Sequence, residues 1–383
     1  MRIAFYNLTT TTGLGGIETF NREMARVLAR RGHAVTLFAG RVGETHGLPH
    51  TATLRMYPFL PRERVPNVGT RFRKFVERLT FACFALPDLI RGGYDYIYVS
   101  KPFDLAAAIA AARASGAKVI FGSGGTEFFP GYCAMVRRVH LLFACSVFNR
   151  DQISAHCGLE PRVLPNGVDT DCFRPLERDE SRAASLDLRP GVPVLMTACR
   201  LVGWKGVQHA LRALALLRQR GYAPRYVVAG DGEYRGTLES LAGELDLSGQ
   251  VQFIGTVSHA DLPHWYSLAC IAVYPSVANE TFGMAIAEAM ACGLPVVSTT
   301  VGGIPEVVGA EGGVLVPPRD EQALADALEK LLSSDHLRQR IASAARARVE
   351  TEFSWERVAD LLESRLRDAD GAAHSQPPLS CTR

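Results

Sequence analysis

The chain has 383 residues, of which 47% are hydrophobic and 21% are charged, and its formal net charge is +3. That length suggests two or three domains, and the composition excludes a largely disordered chain, which would have fewer apolar residues and a higher net charge. No apolar run reaches the roughly 18–20 residues of a membrane-spanning helix. The apolar burst Ile3–Tyr6 is also far shorter than a signal-peptide core, so we expect neither a membrane span nor secretion.

Charge is divided unevenly along the chain. Residues 1–170 contain 21 Lys and Arg against 12 Asp and Glu, whereas residues 171–383 contain 21 against 27. A basic half followed by an acidic half predicts two domains with different partners. The basic half is expected to attract an anion such as a phosphorylated substrate or an acidic membrane surface. Nucleic acid is not expected, because no helix-turn-helix, zinc-finger or RNA-binding aromatic motif appears.

Strand and helix patterns alternate along the first half. Ile3–Asn7 is a short apolar strand before a Gly/Thr-rich turn, and Glu18–Arg31 has apolar residues at helical spacing. The next predicted elements are the strands His33–Phe38, Tyr96–Val99, Val119–Phe121 and Leu141–Cys145 and the helix Leu105–Ala114. This alternation is typical of a parallel sheet covered by helices.

Between these elements, Thr70–Ile90 combines arginine and lysine with four phenylalanines. Such a basic, aromatic helix is typical of a segment that lies on a membrane surface. An ordinary surface helix with its apolar face on the core would have the same composition. Both interpretations stay open at this point.

The second half repeats the α/β pattern. Its predicted strands are Val194–Thr197, Arg225–Ala229, Val251–Phe253, Ile271–Tyr274 and Pro295–Ser298, and its helices are Val207–Arg220, Gly236–Leu245 and Ala285–Ala291. Two open α/β sheets in tandem explain this order, and the charged, proline-containing stretch 171–193 is the predicted linker. The predicted domains are residues 1–172 and 173–354. A final helix is predicted over about 355–368, followed by a disordered tail over 371–383.

Nine cysteines are scattered along the chain without a CxxC pair. A zinc or thioredoxin-type site therefore has no support, and we expect free, buried thiols in a reducing cytosol.

The strongest chemical pattern lies in the second half. Glu280 and Glu288 are eight positions apart, across a turn and then a helix, in apolar and Gly-rich surroundings. The start of that helix is a predicted anion site, because its free backbone N–H groups carry the positive end of the helix dipole. Arg200 and Lys205 follow the first strand of this half, at the edge where open α/β sheets bind ligands. Two such cations suit a diphosphate.

Together these residues resemble the retaining nucleotide-sugar glycosyltransferases of family 4, and the matching motifs extend over nearly the whole chain. They are Gly15-Gly16-Ile17-Glu18, Pro165-Asn166-Gly167-Val168-Asp169, Arg200…Lys205-Gly206, Gly230-Asp231-Gly232, Val251-Gln252-Phe253-Ile254-Gly255, Glu280…Glu288, Gly302-Gly303-Ile304-Pro305-Glu306 and Phe353-Ser354-Trp355. The resemblance implies the GT-B architecture, in which two Rossmann-like domains face a cleft. The final helix, about 355–368, is thereby implied to pack back onto the first domain. It also implies transfer of a hexose from a UDP- or GDP-linked sugar to an acceptor hydroxyl, with neither a metal nor a further cofactor.

The resemblance implies roles for individual residues. Arg200 and Lys205 would hold the donor diphosphate and stabilise its developing charge. Glu288 would accept hydrogen bonds from the ribose, and Glu280 from the transferred sugar. The remaining donor-site contacts are implied to be backbone groups, those of Gly15, Gly16, Val257, Phe282, Gly283 and Met284. Val257 is placed at the base and the others at sugar and phosphate.

One position departs from the family pattern. Similar enzymes have a histidine just after the strand that corresponds to Val119–Phe121, and here Gly124 takes its place. On the acceptor side, the backbone of Gly124 and Gly125, the Thr126 hydroxyl or the Glu127 carboxylate are candidates to supply the missing contact. Glu127 is a candidate base toward the acceptor hydroxyl, although a purely structural loop carboxylate is an equal alternative.

The favoured function is therefore a hexosyltransferase of cell-envelope polysaccharide or glycolipid assembly, located in the cytoplasm or peripherally on the inner face of the membrane. Two alternatives remain: a non-catalytic nucleotide-sugar-binding relative, and a glycosyltransferase of a soluble natural product. A dinucleotide-dependent oxidoreductase is set aside, because Gly13-Leu-Gly15-Gly16 lacks the GxGxxG spacing and no acidic residue ends the second strand. A sugar-nucleotide epimerase would not explain the Arg200…Lys205 and Glu280…Glu288 patterns.

Overall fold

The computed structural model describes residues 1–11, 15–41, 51–125, 127–278 and 280–374. The chain forms two compact units: one is Met1–Gly167 with the segment from Trp355 onward, and the other is Val168–Ser354. Each unit contains one parallel sheet, with helices connecting successive strands. This confirms the predicted α/β class with two tandem parallel sheets.

In its described residues the N-terminal unit has a seven-stranded sheet. The strands are β1 (Arg2–Tyr6), β2 (Ala34–Gly40), β3 (Thr53–Tyr57), β4 (Tyr96–Val99), β5 (Lys118–Ser123), β6 (Leu141–Ala144) and β7 (Arg162–Val163). Their spatial order is β3-β2-β1-β4-β5-β6-β7. The central strands are almost wholly buried, as expected where helices cover both faces. The strands β3 and β7 were not predicted, because an edge strand with exposed positions and a two-residue strand show no apolar run.

The helices of this unit before the final one are α1 (Gly16–Arg30), α2 (Thr70–Arg91), α3 (Leu105–Ser115), α4 (Tyr132–Val136) and α5 (Val147–Cys157). As predicted, α1 buries its apolar positions Phe20, Met24, Val27 and Leu28. A buried stripe at this spacing is what holds a short helix on a sheet.

The described part of the C-terminal unit has six parallel strands in the order β10-β9-β8-β11-β12-β13. They are β8 (Val194–Ala198), β9 (Arg225–Ala229), β10 (Val251–Gly255), β11 (Ile271–Tyr274), β12 (Val296–Thr299) and β13 (Gly313–Val316). The helices are α6 (Glu180–Ser185), α7 (Val207–Gln219), α8 (Arg235–Glu244), α9 (Leu262–Tyr266), α10 (Met284–Ala291), α11 (Ile304–Val308), α12 (Glu321–Leu332) and α13 (Asp335–Arg348). The order reverses between β8 and β11, which is the position where such sheets bind ligands.

The final helix, α14 (Trp355–His374), packs on α1. The Trp355 ring lies edge-on to Phe20 at 5.7 Å, and Arg31 Nη1 is 2.7 Å from Asp360 Oδ1. The predicted end near residue 368 was wrong, since the helix runs on to His374 and includes the first four residues of the predicted disordered tail. Ala372 and Ala373 favour helix, and the first proline comes only at Pro377. The rest of that predicted tail, 375–383, lies outside the described residues.

The prediction of free thiols was wrong at two positions. Cys133 at the start of α4 and Cys157 at the end of α5 form a disulfide, with Cα atoms 5.3 Å apart. They are 24 residues apart in sequence, and only the packing of the folded chain brings them together. The other cysteines in the described part of the chain are free thiols.

Candidate active site

The loop after β8 places Lys205 beside Glu280. Gly203–Lys205 forms a 3-10 turn, and Lys205 Nζ lies 2.5 Å from Glu280 Oε2. The same nitrogen lies 4.6 Å from the centre of the Trp204 ring. Both charged side chains are largely buried, at 19% and 13% exposure. Because a buried charge is costly unless paired, each of these groups holds the other in place.

Gly206 allows this loop to approach the chain that follows β11. Its φ is +76°, and a Cβ at this position would lie 1.8 Å from the carbonyl oxygen of Pro275. The Val277 amide also donates to the Trp204 carbonyl at 2.8 Å. Only glycine has both the positive φ and the space that this contact requires. The position of Lys205 relative to the Glu280 segment is thus fixed by backbone contacts.

Glu280 precedes the start of α10. Gly283, with φ of +100°, is the N-cap of α10, and the Ala287 amide donates to its carbonyl at 3.1 Å. The amides of the first turn precede this bond and form the positive end of the helix dipole. Phe282 is 4% exposed and packs edge-on against Phe353 at 5.5 Å, which anchors the turn. The predicted residues Glu280, Phe282, Gly283 and Met284 therefore lie together at this helix start.

Glu288 lies one turn before the end of α10 and is 6% exposed. Its Oε1 is 2.8 Å from Nε2 of His259, whose side chain is 53% exposed. The sequence analysis did not select His259, because a single polar residue in a turn carries no spacing signal. The one sequence feature that could have pointed to His259 is its position two residues after Val257, which was predicted to contact the base.

Arg200 is exposed at the end of the strand β8, five residues before Lys205. Within the described residues it is in no salt bridge, unlike Lys205. An exposed guanidinium at this edge of the sheet is accessible to an anion from solvent.

In the N-terminal unit, Gly15 caps α1 and Gly16 begins it. A Cβ on Gly15 would lie 2.7 Å from Oε2 of Glu18, so this carboxylate folds back over the helix start. Glu18 is 6% exposed, accepts a hydrogen bond from the Thr9 hydroxyl at 2.5 Å, and pairs with Lys101 at 3.1 Å. Burial alone would raise the pKa of Glu18, but Lys101 and Thr9 outweigh it and lower the pKa. The carboxylate is therefore held ionised at the edge of this sheet.

Gly124 and Gly125 follow β5, in the segment where similar enzymes have a histidine. A Cβ on Gly124 would lie 2.9 Å from Ile17 Cγ1, so Ile17 occupies the space that a side chain would need. The Gly125 carbonyl accepts hydrogen bonds from Ser123 Oγ and Asn149 Nδ2, both at 3.0 Å. These bonds fix the glycine loop. The predicted candidate Thr126 lies outside the described residues.

Glu127 has an exposed side chain whose Oε1 is 2.5 Å from Nζ of Lys74 on α2. Sequence analysis missed this partner, because Lys74 is 53 residues away and was one of several cations in its segment. The candidate acceptor-side carboxylate is thus ion-paired rather than isolated.

The helix α2 has two apolar faces. Phe81, Ala85 and Leu89 are buried against the core, as an ordinary surface helix requires. A neighbouring face leaves Phe72, Phe75 and Leu79 about half exposed, at 48–51%. Packing on the core therefore explains only one face. Across the described ranges, no helix is both long and apolar enough to cross a bilayer.

Two family models match the chain: one described as Glycosyltransferase Family 4 over residues 14–172, and one described as Glycosyl transferases group 1 over residues 178–348. The chain is 27% identical over 380 residues to the GDP-mannose-dependent monoacylated alpha-(1-6)-phosphatidylinositol monomannoside mannosyltransferase of Corynebacterium glutamicum, covering 92% of this chain and 96% of the relative. It is also 27% identical over 385 residues to the GDP-mannose-dependent alpha-(1-6)-phosphatidylinositol monomannoside mannosyltransferase of Mycobacterium tuberculosis, covering 94% and 96%.

Among solved structures, the sucrose-phosphate synthase of Thermosynechococcus elongatus superposes with a TM-score of 0.82 at 22% identity, covering 97% of this chain and 99% of that one. Its similarity concerns the fold. The two family models together span most of the chain: residues 14–172 include Gly15, Gly16 and Gly124, and residues 178–348 include Lys205, Glu280 and Glu288. The chain therefore belongs to the glycosyltransferases of family 4, with the GT-B fold of two Rossmann-like units.

Proposed function

We propose that this enzyme is a retaining, metal-independent hexosyltransferase that uses GDP-mannose and glycosylates a hydroxyl of a membrane glycolipid. The observation that carries the proposal is the largely buried Lys205–Glu280 pair at the start of α10, with Glu288 farther along the same helix. Two relatives aligned over more than nine-tenths of the chain favour GDP-mannose and a lipid acceptor by their names. A UDP-linked sugar is the alternative donor.

On this proposal, the positive charge that the diphosphate needs comes from Lys205, Arg200 and the first-turn amides of α10, including those of Gly283 and Met284. Glu280 accepts hydrogen bonds from the sugar hydroxyls and keeps the Lys205 ammonium in position. As the bond from the sugar to the diphosphate breaks, the negative charge on the leaving oxygen increases, and Lys205 stabilises it. The acceptor hydroxyl attacks from the same face and passes its proton to that oxygen, so the anomeric configuration is retained.

The remaining contacts are proposed to be made by backbone groups. Val257 is placed at the base, and Gly15 and Gly16 allow close approach of the chain to the phosphates. On the acceptor side, the Gly124–Gly125 loop and the Glu127 carboxylate contact the acceptor hydroxyls. A Cβ on Gly124 would lie 2.9 Å from Ile17 Cγ1. The Glu127 carboxylate, three residues farther along the same loop, is our candidate to replace the family histidine.

The test is transfer of radiolabelled mannose from GDP-mannose to phosphatidylinositol monomannoside in vesicles. We expect Lys205→Ala to reduce kcat by about 100-fold or more, as loss of an electrostatic stabiliser does, and Glu280→Ala to be similarly impaired. Lys330→Ala is the matched control, because Lys330 is an exposed lysine of the same unit on α12. NMR of the product should show a retained α-anomer, and a chelator should leave the rate unchanged.

Full activity in both Lys205→Ala and Glu280→Ala would refute the site. Nucleotide binding without turnover on any acceptor would indicate the non-catalytic relative instead. Transfer to soluble acceptors alone would indicate a natural-product enzyme.

We also propose that the exposed face of α2 lies on an anionic bilayer. Phe72, Phe75 and Leu79 lie at helical spacing on one side of α2, and Arg71 beside them is exposed. Aromatic insertion together with attraction of basic residues to acidic headgroups is sufficient for reversible binding.

Flotation with phosphatidylglycerol vesicles tests this surface. The double variant Phe72→Ser/Phe75→Ser should lose about tenfold or more in partitioning, because each apolar side chain contributes roughly 1.5–3 kcal/mol when buried. Val147→Ser removes a comparably exposed apolar residue from α5 and should have no effect. Equal binding of all three proteins would contradict the proposal.

A further inference from the structure

Glu288 is a buried carboxylate on α10, with 6% of its surface exposed. Three buried groups lie near it: Tyr266, Tyr274 and Cys292. Burial raises the pKa of each of these groups, and the nearby charge of Glu288 raises it further. Among the described residues, the one group that forms an ion pair or hydrogen bond with its side chain is the His259 imidazole, at 2.8 Å. A carboxylate can only accept, so Nε2 of His259 carries the hydrogen. This single N–H is the group that compensates the burial of Glu288.

The position of His259 is itself constrained, although its side chain is 53% exposed. It lies in the turn between β10 and α9, which is closed by hydrogen bonds between Ser258 and Asp261, including Ser258 Oγ to Asp261 Oδ2 at 2.9 Å. Its ring packs on Phe173 with centroids 4.8 Å apart, and the Phe173 carbonyl accepts a hydrogen bond from Arg346 at 2.5 Å. The imidazole therefore has a fixed support on one side and the carboxylate on the other.

We propose that His259 is a positioning residue for the donor ribose. It donates to Oε1 of Glu288 and so orients the carboxylate with Oε2 directed to the two ribose hydroxyls. This inference rests on the proposed function, since it needs Glu288 to be the ribose ligand. Without the imidazole, the carboxylate can rotate, and the directional bonds to the vicinal diol weaken even though the charge remains.

The experiment compares two nucleotides with each protein by calorimetry: GDP, or UDP if the wild type binds it more tightly, and the matching 2′,3′-dideoxynucleotide. The wild type should prefer the ribonucleotide by about tenfold or more, equivalent to about 1.4 kcal/mol. His259→Phe keeps a ring against Phe173 but removes the N–H donor, and should reduce the preference to about twofold, since a charged hydrogen bond loses its orientation. His259→Gln retains an N–H in a similar place and should restore most of the preference.

Steady-state kinetics supply the second readout. The ribose is remote from the bond that breaks, so His259→Phe should raise the KM for the nucleotide sugar and leave kcat within about twofold. Glu288→Gln is the reference for a lost ribose ligand and should behave like His259→Phe or worse.

Four results would overturn the inference. If His259→Phe weakened the binding of both nucleotides equally, the His259 ring would only pack against its neighbours. A His259→Gln variant with no greater ribose preference than His259→Phe would mean the same. Loss of ribose preference in Glu288→Gln but not in His259→Phe would refute the role of His259 and leave the proposed function intact. A wild type that binds neither GDP nor UDP would refute the proposed function and this inference together.

Discussion

Replacing Gly206 by alanine should disable the proposed donor site by displacing the loop that carries Lys205. Gly206 has φ of +76°, and an added Cβ would lie 1.8 Å from the Pro275 carbonyl oxygen. A non-glycine residue at positive φ costs about 1 kcal/mol or slightly more, and forced overpacking costs about 1–3 kcal/mol. We therefore expect a loss of about 2–4 kcal/mol in the free energy of unfolding. Because Pro275 O is backbone, the loop carrying Lys205 must move to relieve the contact.

Gly221→Ala is the matched control. Gly221 follows α7 in the same unit and has φ of +88°, but a Cβ there would meet nothing within 4 Å. It should show only the cost of the positive φ. For a unit of this size, about 1 kcal/mol shifts the unfolding midpoint by about 2–4 °C, so Gly206→Ala should shift it about two to four times as far as the control.

Thermal unfolding and calorimetric titration with GDP together measure both effects. Gly206→Ala should lose nucleotide affinity, because the movement separates Lys205 from Glu280, whereas Gly221→Ala should bind as the wild type does. Equal midpoints for the two variants, or unchanged nucleotide affinity in Gly206→Ala, would refute the assigned role of this close approach.

Three further predictions concern stability. Burial raises the pKa of Asp104 to about 6 despite the adjacent Arg78. The stability that the protonated carboxyl contributes is therefore present below pH 4 and is lost as the pH rises to 6. In urea titrations over that range the wild type should lose stability relative to Asp104→Asn, and a constant difference in stability between the two proteins would count against this prediction. The Cys133–Cys157 disulfide joins residues 24 apart in sequence, so its reduction should lower the free energy of unfolding by about 3 kcal/mol. Dithiothreitol should therefore lower the thermal unfolding midpoint of the wild type but not that of the variant with both cysteines replaced by serine. An equal effect of dithiothreitol on the two proteins would contradict this. Arg346 donates to three backbone carbonyls, so Arg346→Met should cost about 3 kcal/mol or more; a midpoint within 1 °C of wild type would exclude that role.

Much of the fold follows from local patterns. The helix α1 was predicted from Phe20, Met24, Val27 and Leu28, which are buried as expected. The strands β9 and β11 were predicted with the bounds that they have, because a buried parallel strand is a short apolar run between turns. The edge strand β3 was missed for the same reason, since its residues are only half-buried and show no such run.

Lys205, Glu280 and Glu288 were selected from sequence because each belongs to a short motif with its own spacing, whereas His259 was not. Lys205 follows a strand within the pattern Arg200…Lys205-Gly206, and Glu280 and Glu288 flank the start and body of one helix. What such motifs determine is local: which strand end a side chain follows, and which helix start lies next to it.

Partners distant in sequence were decided by the tertiary structure alone. The Lys205–Glu280 bond joins residues 75 apart, and the Lys74–Glu127 pair joins residues 53 apart. His259 reaches Glu288 from a turn between β10 and α9, and Cys133 meets Cys157 only once α5 has returned past α4. Composition and spacing determine which segments become strands and helices, because the forces involved act within a few residues. Which charges then meet depends on how the finished elements pack, and single polar residues carry no periodic signal of that packing.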